Sequence, residues 1–194
     1  MKSQLLIVSA LCLMITSCSK DEDELVFQMK EDTRPVPTRY DKLSTTEFKN
    51  LLIGYGWKEA ETHIINTDGT INKDDYWKDM CGGGPSTYEF TDTRIIDYFF
   101  ADAIPARVSV PYTYTYDEAT NAVYYENNGN FWFSIVRASL SEVTIIKRAG
   151  VKADRDSNKL RPVYHYVTLK QMTASELEQV RNSHTPYDQV EKYY

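Results

Sequence analysis

Cysteine and histidine are the residues best suited to nucleophilic or metal chemistry, and this chain has three of each. The histidines, His63, His165 and His184, form no HxH or HExxH spacing, and the cysteines form no CxxC pair. We therefore predict no metal site and no cofactor. A cysteine nucleophile needs a neighbouring base that lowers its pKa, and no histidine lies next to Cys81 in the sequence. The sequence thus gives little support for thiol catalysis.

Carboxylates could support a different chemistry, the hydrolysis of glycosidic bonds, if two of them converged on one substrate. Five acidic residues lie on predicted strands or at strand ends, but nothing in the linear sequence pairs them: Glu59, Glu61, Glu89, Asp92 and Asp97. The chain also has no GxSxG motif. We predict that the protein is not an enzyme, and the contrary hypothesis requires a cleft where perturbed carboxylates or histidines meet.

The composition excludes several further classes of protein. The 194 residues carry a net charge of −6 and show no stripe dense in lysine or arginine, so we predict no binding to nucleic acid. With 42% hydrophobic and 26% charged residues, the chain is neither a multi-span membrane protein nor disordered throughout. The 15 tyrosines suit strands that have one wet and one dry face.

The N-terminus has the pattern of an exported protein. Lys2 precedes an apolar run over residues 5–15, which is too short to span a bilayer and predicts a signal peptide over residues 1–17. The sequence Ile15-Thr16-Ser17-Cys18 resembles the bacterial lipobox. That resemblance implies that Cys18 carries lipid and begins the mature chain, so that the membrane is a partner through the N-terminal lipid. The alternative is an ordinary secretory signal with an incidental cysteine.

The residues after Cys18 suggest a destination. Ser19, Lys20, Asp21 and Glu22 open a segment that resembles the lipoprotein export signal of Bacteroidetes, which implies a lipid-anchored protein of the outer membrane at the cell surface. An acidic run can also be only a solvated spacer. Residues 18–40 are predicted to be a lipidated tether, and residues 41–194 the folded domain. Because signal cleavage removes Cys12 and lipid occupies Cys18, Cys81 is left alone and no intrachain disulfide is possible.

Two capping boxes predict short helices near the ends of the domain. Ser44 and Glu47 stand at the first box, and Gly54 can end that helix in the left-handed conformation. Thr173 and Glu176 form the second box, which predicts a helix over residues 174–182.

Between the helices the hydrophobic period changes to two, which is the period of β-strands. The alternation and the turn-forming stretches predict about eight strands in meander order, with no helix long enough for a parallel crossover. The fold class is therefore mainly β, an antiparallel up-and-down barrel with a short helix at each end. The predicted strands cover residues 56–65, 87–91, 94–100, 107–116, 121–126, 130–137, 142–148 and 162–170.

The short helix, the sequence Gly54-Tyr55-Gly56-Trp57 at the first strand and the late helix resemble the lipocalin-like (calycin) domains of Bacteroidetes lipoproteins. The chain departs from the Gly-x-Trp pattern of lipocalins by one residue. The resemblance implies an interior that binds a small lipophilic or amphipathic ligand, while the alternative is a barrel filled by its own side chains. The predicted ligand-binding residues are Trp57, Tyr88, Phe90, Tyr112, Tyr114, Tyr116, Phe131 and Phe133.

A second functional hypothesis is a non-enzymatic cell-surface module that binds glycan or a protein partner through exposed aromatic residues. A patch with Tyr76, Trp77 or Trp132 on the outside would favour it.

Overall fold

The computed structural model describes residues 27–28, 34–76, 85–126, 129–153 and 160–190, and for 27–28, 73–76 and 152–153 the description covers the backbone. The predictions for Cys18, for the export signal at residues 19–22 and for Cys81 fall outside these ranges. The described elements, in chain order, are β1 (Phe27–Gln28), β2 (Val36–Pro37), α1 (Thr45–Leu52), β3 (Gly56–Ile65), β4 (Ile71–Tyr76), β5 (Thr87–Phe90), β6 (Arg94–Ala101), β7 (Ala106–Asp117), β8 (Ala122–Tyr125), β9 (Phe131–Ala138), β10 (Glu142–Ala153), β11 (Leu160–Gln171), α2 (Ala174–Ser183), β12 (Thr185–Pro186) and a 3-10 turn at Tyr187–Gln189. No helix in these ranges is long and apolar enough to cross a membrane.

Eight antiparallel strands form a closed barrel, which confirms the predicted fold class. The strands β5 to β11 pair in sequence order, β3 pairs with β5, and β11 pairs back onto β3 to close the sheet. The two helices lie near the two ends of this strand set, as predicted. Strand β4 is an addition that sequence analysis missed. Its sequence, INKDDY, is mostly polar, and backbone pairing with β3 joins it to the barrel.

Helix α1 closes one end of the barrel, called here the near end. The predicted capping box is present: Ser44 Oγ accepts from the Glu47 amide at 3.2 Å, and Glu47 Oε2 accepts from the Ser44 amide at 2.8 Å. The helix buries Phe48 and Leu52 in the core of the barrel. Gly54, with φ of +84°, follows the helix in the left-handed region. The turns between β6 and β7 and between β8 and β9 lie at the opposite, far end.

Helix α2 packs on the outside of the barrel. Leu177 covers Gly56 so closely that a Cβ atom at Gly56 would lie 2.8 Å from Leu177 Cδ1. Arg181 donates to both carboxylate oxygens of Glu89, at 2.6 and 3.1 Å, and Tyr98 donates to the same carboxylate at 2.8 Å. Burial alone would raise the pKa of Glu89, but these bonds outweigh it and lower the pKa. The late helix is thus fixed to β5 and β6.

The segment before α1 lies along the outside of β9. Arg34 donates to the Tyr124 hydroxyl at 3.0 Å and stacks over the Phe131 ring at 4.7 Å, close to the far end. Pro35 and Pro37 are buried. Arg34, Pro35 and Pro37, which lie within the predicted tether, therefore contact the folded domain.

Asn121 holds the end of this segment to the barrel. It is buried in the left-handed conformation, with φ of 54°. Its side-chain nitrogen donates to the carbonyls of Asp41 and Ile135 at 2.9 and 2.6 Å. Its side-chain oxygen accepts from the Leu43 amide at 3.3 Å and from the Tyr116 hydroxyl at 2.5 Å. A single amide side chain thus joins the N-terminal segment to the barrel wall.

Candidate ligand-binding site

Three polar side chains meet inside the barrel, on the far side of the apolar layer that contacts α1. The Tyr88 hydroxyl donates to Glu59 Oε1 at 2.5 Å. Lys147 Nζ donates to the same Glu59 oxygen at 2.8 Å and also to the Tyr88 hydroxyl. The ammonium group lies 5.0 Å from the centroid of the Tyr88 ring. These groups come from β3, β5 and β10, so barrel closure brings them together.

Strand pairing explains why these side chains point inward. Glu59 follows the buried Trp57 by two residues, and side chains two apart on a strand share a face. Tyr88 stands opposite Trp57 in the register of β3 and β5, and Asp97 stands opposite Tyr88 in the register of β5 and β6. Lys147 follows the buried Ile145 by two residues on β10. All four side chains therefore share the inner face.

The Lys147–Glu59 pair is mostly shielded from water. The Lys147 side chain is 21% exposed and the Glu59 side chain is 13% exposed. Burial acts to lower the pKa of Lys147, but the charges of Glu59 and Asp97 outweigh this effect and raise it. Burial, followed by the charge of Glu59, raises the pKa of Tyr88 well above its ordinary value. Lys147 is thus a cation and Tyr88 a neutral donor at neutral pH, and the remaining exposure gives solvent a path to the pair.

Asp97 is the least satisfied member of the cluster. Its Oδ1 atom is buried and has no hydrogen-bond partner within the described part of the chain. Burial raises the pKa of Asp97 from 3.8 to about 7, although the charge of Lys147 acts in the opposite direction, and the charge of Glu59 adds to the rise. A buried carboxylate without a donor costs free energy, so this position marks a strained point of the interior.

Three aromatic rings line the interior beside these polar groups. The Tyr125 ring stacks on Trp132 with a centroid distance of 4.4 Å, and the Tyr112 ring meets Trp132 edge to face at 5.3 Å. Tyr88 contacts the same indole at 6.3 Å. The result is a polar cluster bordered by aromatic surface, which is the combination found in sites for small organic molecules.

A depression of about 290 Å³ opens at the far end of the barrel. Its size is near the lower limit for small-ligand pockets. Tyr125 and Trp132 belong both to this depression and to the aromatic group of the interior. The remaining lining residues are Asn130, Phe131, Arg148, Ala149 and Gly150.

The structure places seven of the eight predicted ligand-binding residues in the interior apolar cluster or packed directly against it. These seven are Trp57, Tyr88, Phe90, Tyr112, Tyr114, Tyr116 and Phe133. Phe131 lies instead in a second cluster on the opposite face of the wall, with Tyr164 and Ile146. The reason is a bulge in the pairing of β8 with β9, where Phe131 and Phe133 pair with consecutive residues of β8 and Trp132 is the extra residue.

The charged members of the cluster were not predicted as site residues. A signal for them was present, because Glu59, Asp97 and Lys147 each follow a buried apolar residue by two positions on one strand. The linear sequence presents Glu59 and Asp97 only as acids that nothing pairs. Their proximity depends on the pairing of distant strands, which periodicity within one strand does not show.

The surface hypothesis named three aromatic residues. Trp132 is 2% exposed and belongs to the interior, so it offers no outside patch. Trp77 and the side chain of Tyr76 lie outside the described parts of the chain. Within the described residues there is also no group of three or more histidine, cysteine, aspartate or glutamate side chains that could hold a metal ion.

Comparisons with family models, with curated proteins and with solved structures give no match. The class of protein is therefore defined by its architecture. A closed eight-stranded antiparallel barrel, with one helix near each end of the strand set, is consistent with a lipocalin-like fold.

Proposed function

We propose that this protein binds a small amphipathic ligand inside its barrel. The observation that carries the proposal is the Glu59, Tyr88, Lys147 and Asp97 cluster, which lies within an aromatic interior and is still partly reached by solvent. A barrel filled only for stability has little use for buried charges, because replacing a buried ion pair by apolar side chains is often neutral or stabilising. The polar cluster would fix the orientation of the ligand, and the rings would cover its apolar part.

The direct test is native mass spectrometry of the Cys18→Ala variant, which cannot carry the lipid, produced in its own host and purified without detergent. We expect a discrete mass adduct that disappears on denaturation. A bare protein would argue for a packed interior.

A second test uses the neutral fluorescent probe N-phenyl-1-naphthylamine, whose emission rises in apolar surroundings. Wild-type protein should bind it in a saturable way. Tyr112→Trp adds volume beside Trp132 and should weaken the binding by roughly tenfold, because overpacking reduces the space available. The matched control Tyr40→Trp changes an exposed tyrosine of the N-terminal segment and should leave probe binding within about twofold of wild type. Equal binding by both variants would place the probe outside the interior.

We further propose that lipid on Cys18 anchors the protein at the outer membrane and that residues 19–22 direct it to the cell surface. The support is the sequence pattern of the N-terminus. Cys18→Ala should release the protein from the membrane fraction, whereas Cys81→Ala should leave it there. Membrane retention of the Cys18 variant would disprove the assignment.

Acid–base catalysis is a second candidate function, because Glu59 and Asp97 do converge, on Lys147. An acid with a pKa of about 7 is suited to proton transfer near neutral pH. We place catalysis second because Glu59, Tyr88 and Lys147 are hydrogen-bonded to one another. Incubating the host-derived ligand with wild type and with Asp97→Asn, and comparing the masses before and after, decides the matter. Conversion by wild type alone would establish catalysis.

A further inference from the structure

The polar cluster has more carboxyl groups than cationic groups among the described residues. Glu59 and Asp97 supply two carboxyl groups, and Lys147 supplies one ammonium group that already donates to Glu59 and Tyr88. Oδ1 of Asp97 is buried without a donor from the described residues. Among the described residues, Asp97 Oδ1 therefore lacks a hydrogen-bond donor, and when Asp97 is ionised the three groups Glu59, Asp97 and Lys147 carry one net negative charge.

We propose that the polar end of the ligand is a protonated primary or secondary amine that binds the carboxylate of Asp97. This inference rests on the proposed function and specifies the chemistry of the ligand. An ammonium group supplies the missing donor and the missing charge together, and a hydrogen bond between two charged groups is stronger than one between neutral groups.

The aromatic rings near Asp97 fit the same ligand. In the register of β6 and β7, Asp97 stands opposite Val110, so Tyr112 is its diagonal neighbour on the inner face. Burial raises the pKa values of Tyr112 and Tyr125, and the negative charge of Asp97 adds to the rise in both. Trp132 packs against both tyrosines. Ring faces attract cations and also accept apolar groups. An arylalkyl or alkyl amine could therefore use the carboxylate and the rings at once.

An anionic ligand fits the site less well. To reach Lys147 it would have to compete with Glu59, which holds the ammonium group at 2.8 Å, and it would lie beside two carboxyl groups. A neutral alcohol could donate to Asp97 but would leave the excess charge in place. The titratable groups that act on Asp97, or on which its charge acts, are Glu59 on β3, Tyr88 on β5, Tyr112 on β7, Tyr125 on β8 and Lys147 on β10.

Three probes of similar size and different charge test the inference: 2-phenylethylamine, 2-phenylethanol and 3-phenylpropionate. Each competes with N-phenyl-1-naphthylamine for the full-length protein at about pH 8, where Asp97, with a pKa of about 7, is mostly ionised. We expect the amine to bind at least about tenfold more tightly than the alcohol or the acid.

Asp97→Asn should weaken binding of the amine by about tenfold or more and change binding of the alcohol by less than about twofold. The matched control Asp102→Asn, at an exposed position in the β6–β7 turn, should leave the binding of the amine and of the alcohol unchanged. The inference is overturned if the acid binds most tightly, or if Asp97→Asn leaves amine binding unchanged.

The failure of the two proposals can be distinguished. Wild-type protein that binds the dye but shows equal affinity for all three probes contradicts only the amine inference. Wild-type protein that binds neither dye nor probe contradicts the proposed function as well.

Discussion

Replacing Asp97 by asparagine should make the protein more stable at alkaline pH. The pKa of Asp97 rises from 3.8 to about 7 on folding, so the folded state holds this proton more tightly than the unfolded state does. Between these two values the unfolded chain binds fewer protons, and the contribution of Asp97 to the free energy of unfolding falls as the pH rises. Asparagine has a similar shape and does not ionise. The variant should therefore escape this loss.

The size of the effect follows from the pKa shift. Each pKa unit corresponds to 1.36 kcal/mol, so a shift from 3.8 to about 7 sets an upper limit of about 4 kcal/mol. The stability difference between Asp97→Asn and wild type should be small near pH 4, where the carboxyl group is mostly protonated in the folded protein. It should grow to roughly 2–4 kcal/mol in favour of the variant near pH 8.

Urea unfolding, followed by tryptophan fluorescence at a series of pH values, measures this difference. Subtracting wild type from variant at each pH removes the contribution of titrating groups that Asp97 does not act on, and the remaining difference belongs to Asp97 together with Glu59, whose charge acts on it. Asp102→Asn, at an exposed turn, should give a nearly flat difference. The reasoning is refuted if the Asp97→Asn difference is also flat, or if it turns in favour of wild type as the pH rises.

Three further substitutions test other parts of the structure by urea unfolding. Gly56→Ala should destabilise by about 1–3 kcal/mol because the new Cβ would lie 2.8 Å from Leu177 Cδ1, and combining it with Leu177→Ala should cost less than the two single changes added together. Asn121→Ala should cost more than Asn121→Gly by about 1 kcal/mol, because both lose the same hydrogen bonds but only glycine relieves the φ of 54°; equal losses would contradict this. Lys147→Met should cost about 3 kcal/mol by leaving Glu59 without its cation, and Glu59→Gln in the same chain should restore part of the loss; no recovery would mean that the pair is not the source.

Much of the fold could be predicted from local patterns. The capping boxes at Ser44 and Thr173 fixed both helices to within a residue or two, because a cap depends on contacts only three residues apart. Period-two alternation, together with the turn-forming stretches, predicted all eight barrel strands. Strand β4 was missed because Ile71 is its only aliphatic residue, so its sequence carries no alternation of the kind that reveals a half-buried strand.

The candidate site was harder to predict because it depends on contacts between distant strands. Lys147 and Glu59 are 88 residues apart, and only closure of β11 onto β3 brings β10 and β3 to the same interior. The bulge places Trp132 on the inner face of the barrel and Phe131 on the outer face. One extra residue in a strand reverses the alternation of side chains on one side of the bulge. The run Phe131-Trp132-Phe133 is apolar throughout, so the sequence does not show which of the three is the extra residue.

Helix α1 has a kinetic consequence for any molecule held in the barrel. Phe48 stacks on Tyr116 at 4.1 Å and Leu52 lies fully buried beside it, so the near end is plugged by packed side chains. A molecule in the interior would then have to leave past the loops of the far end, by which it came in. A second molecule could not enter through the near end and displace the first. Exchange would wait for the first occupant to depart, and its half-time would not depend on the concentration of the replacement.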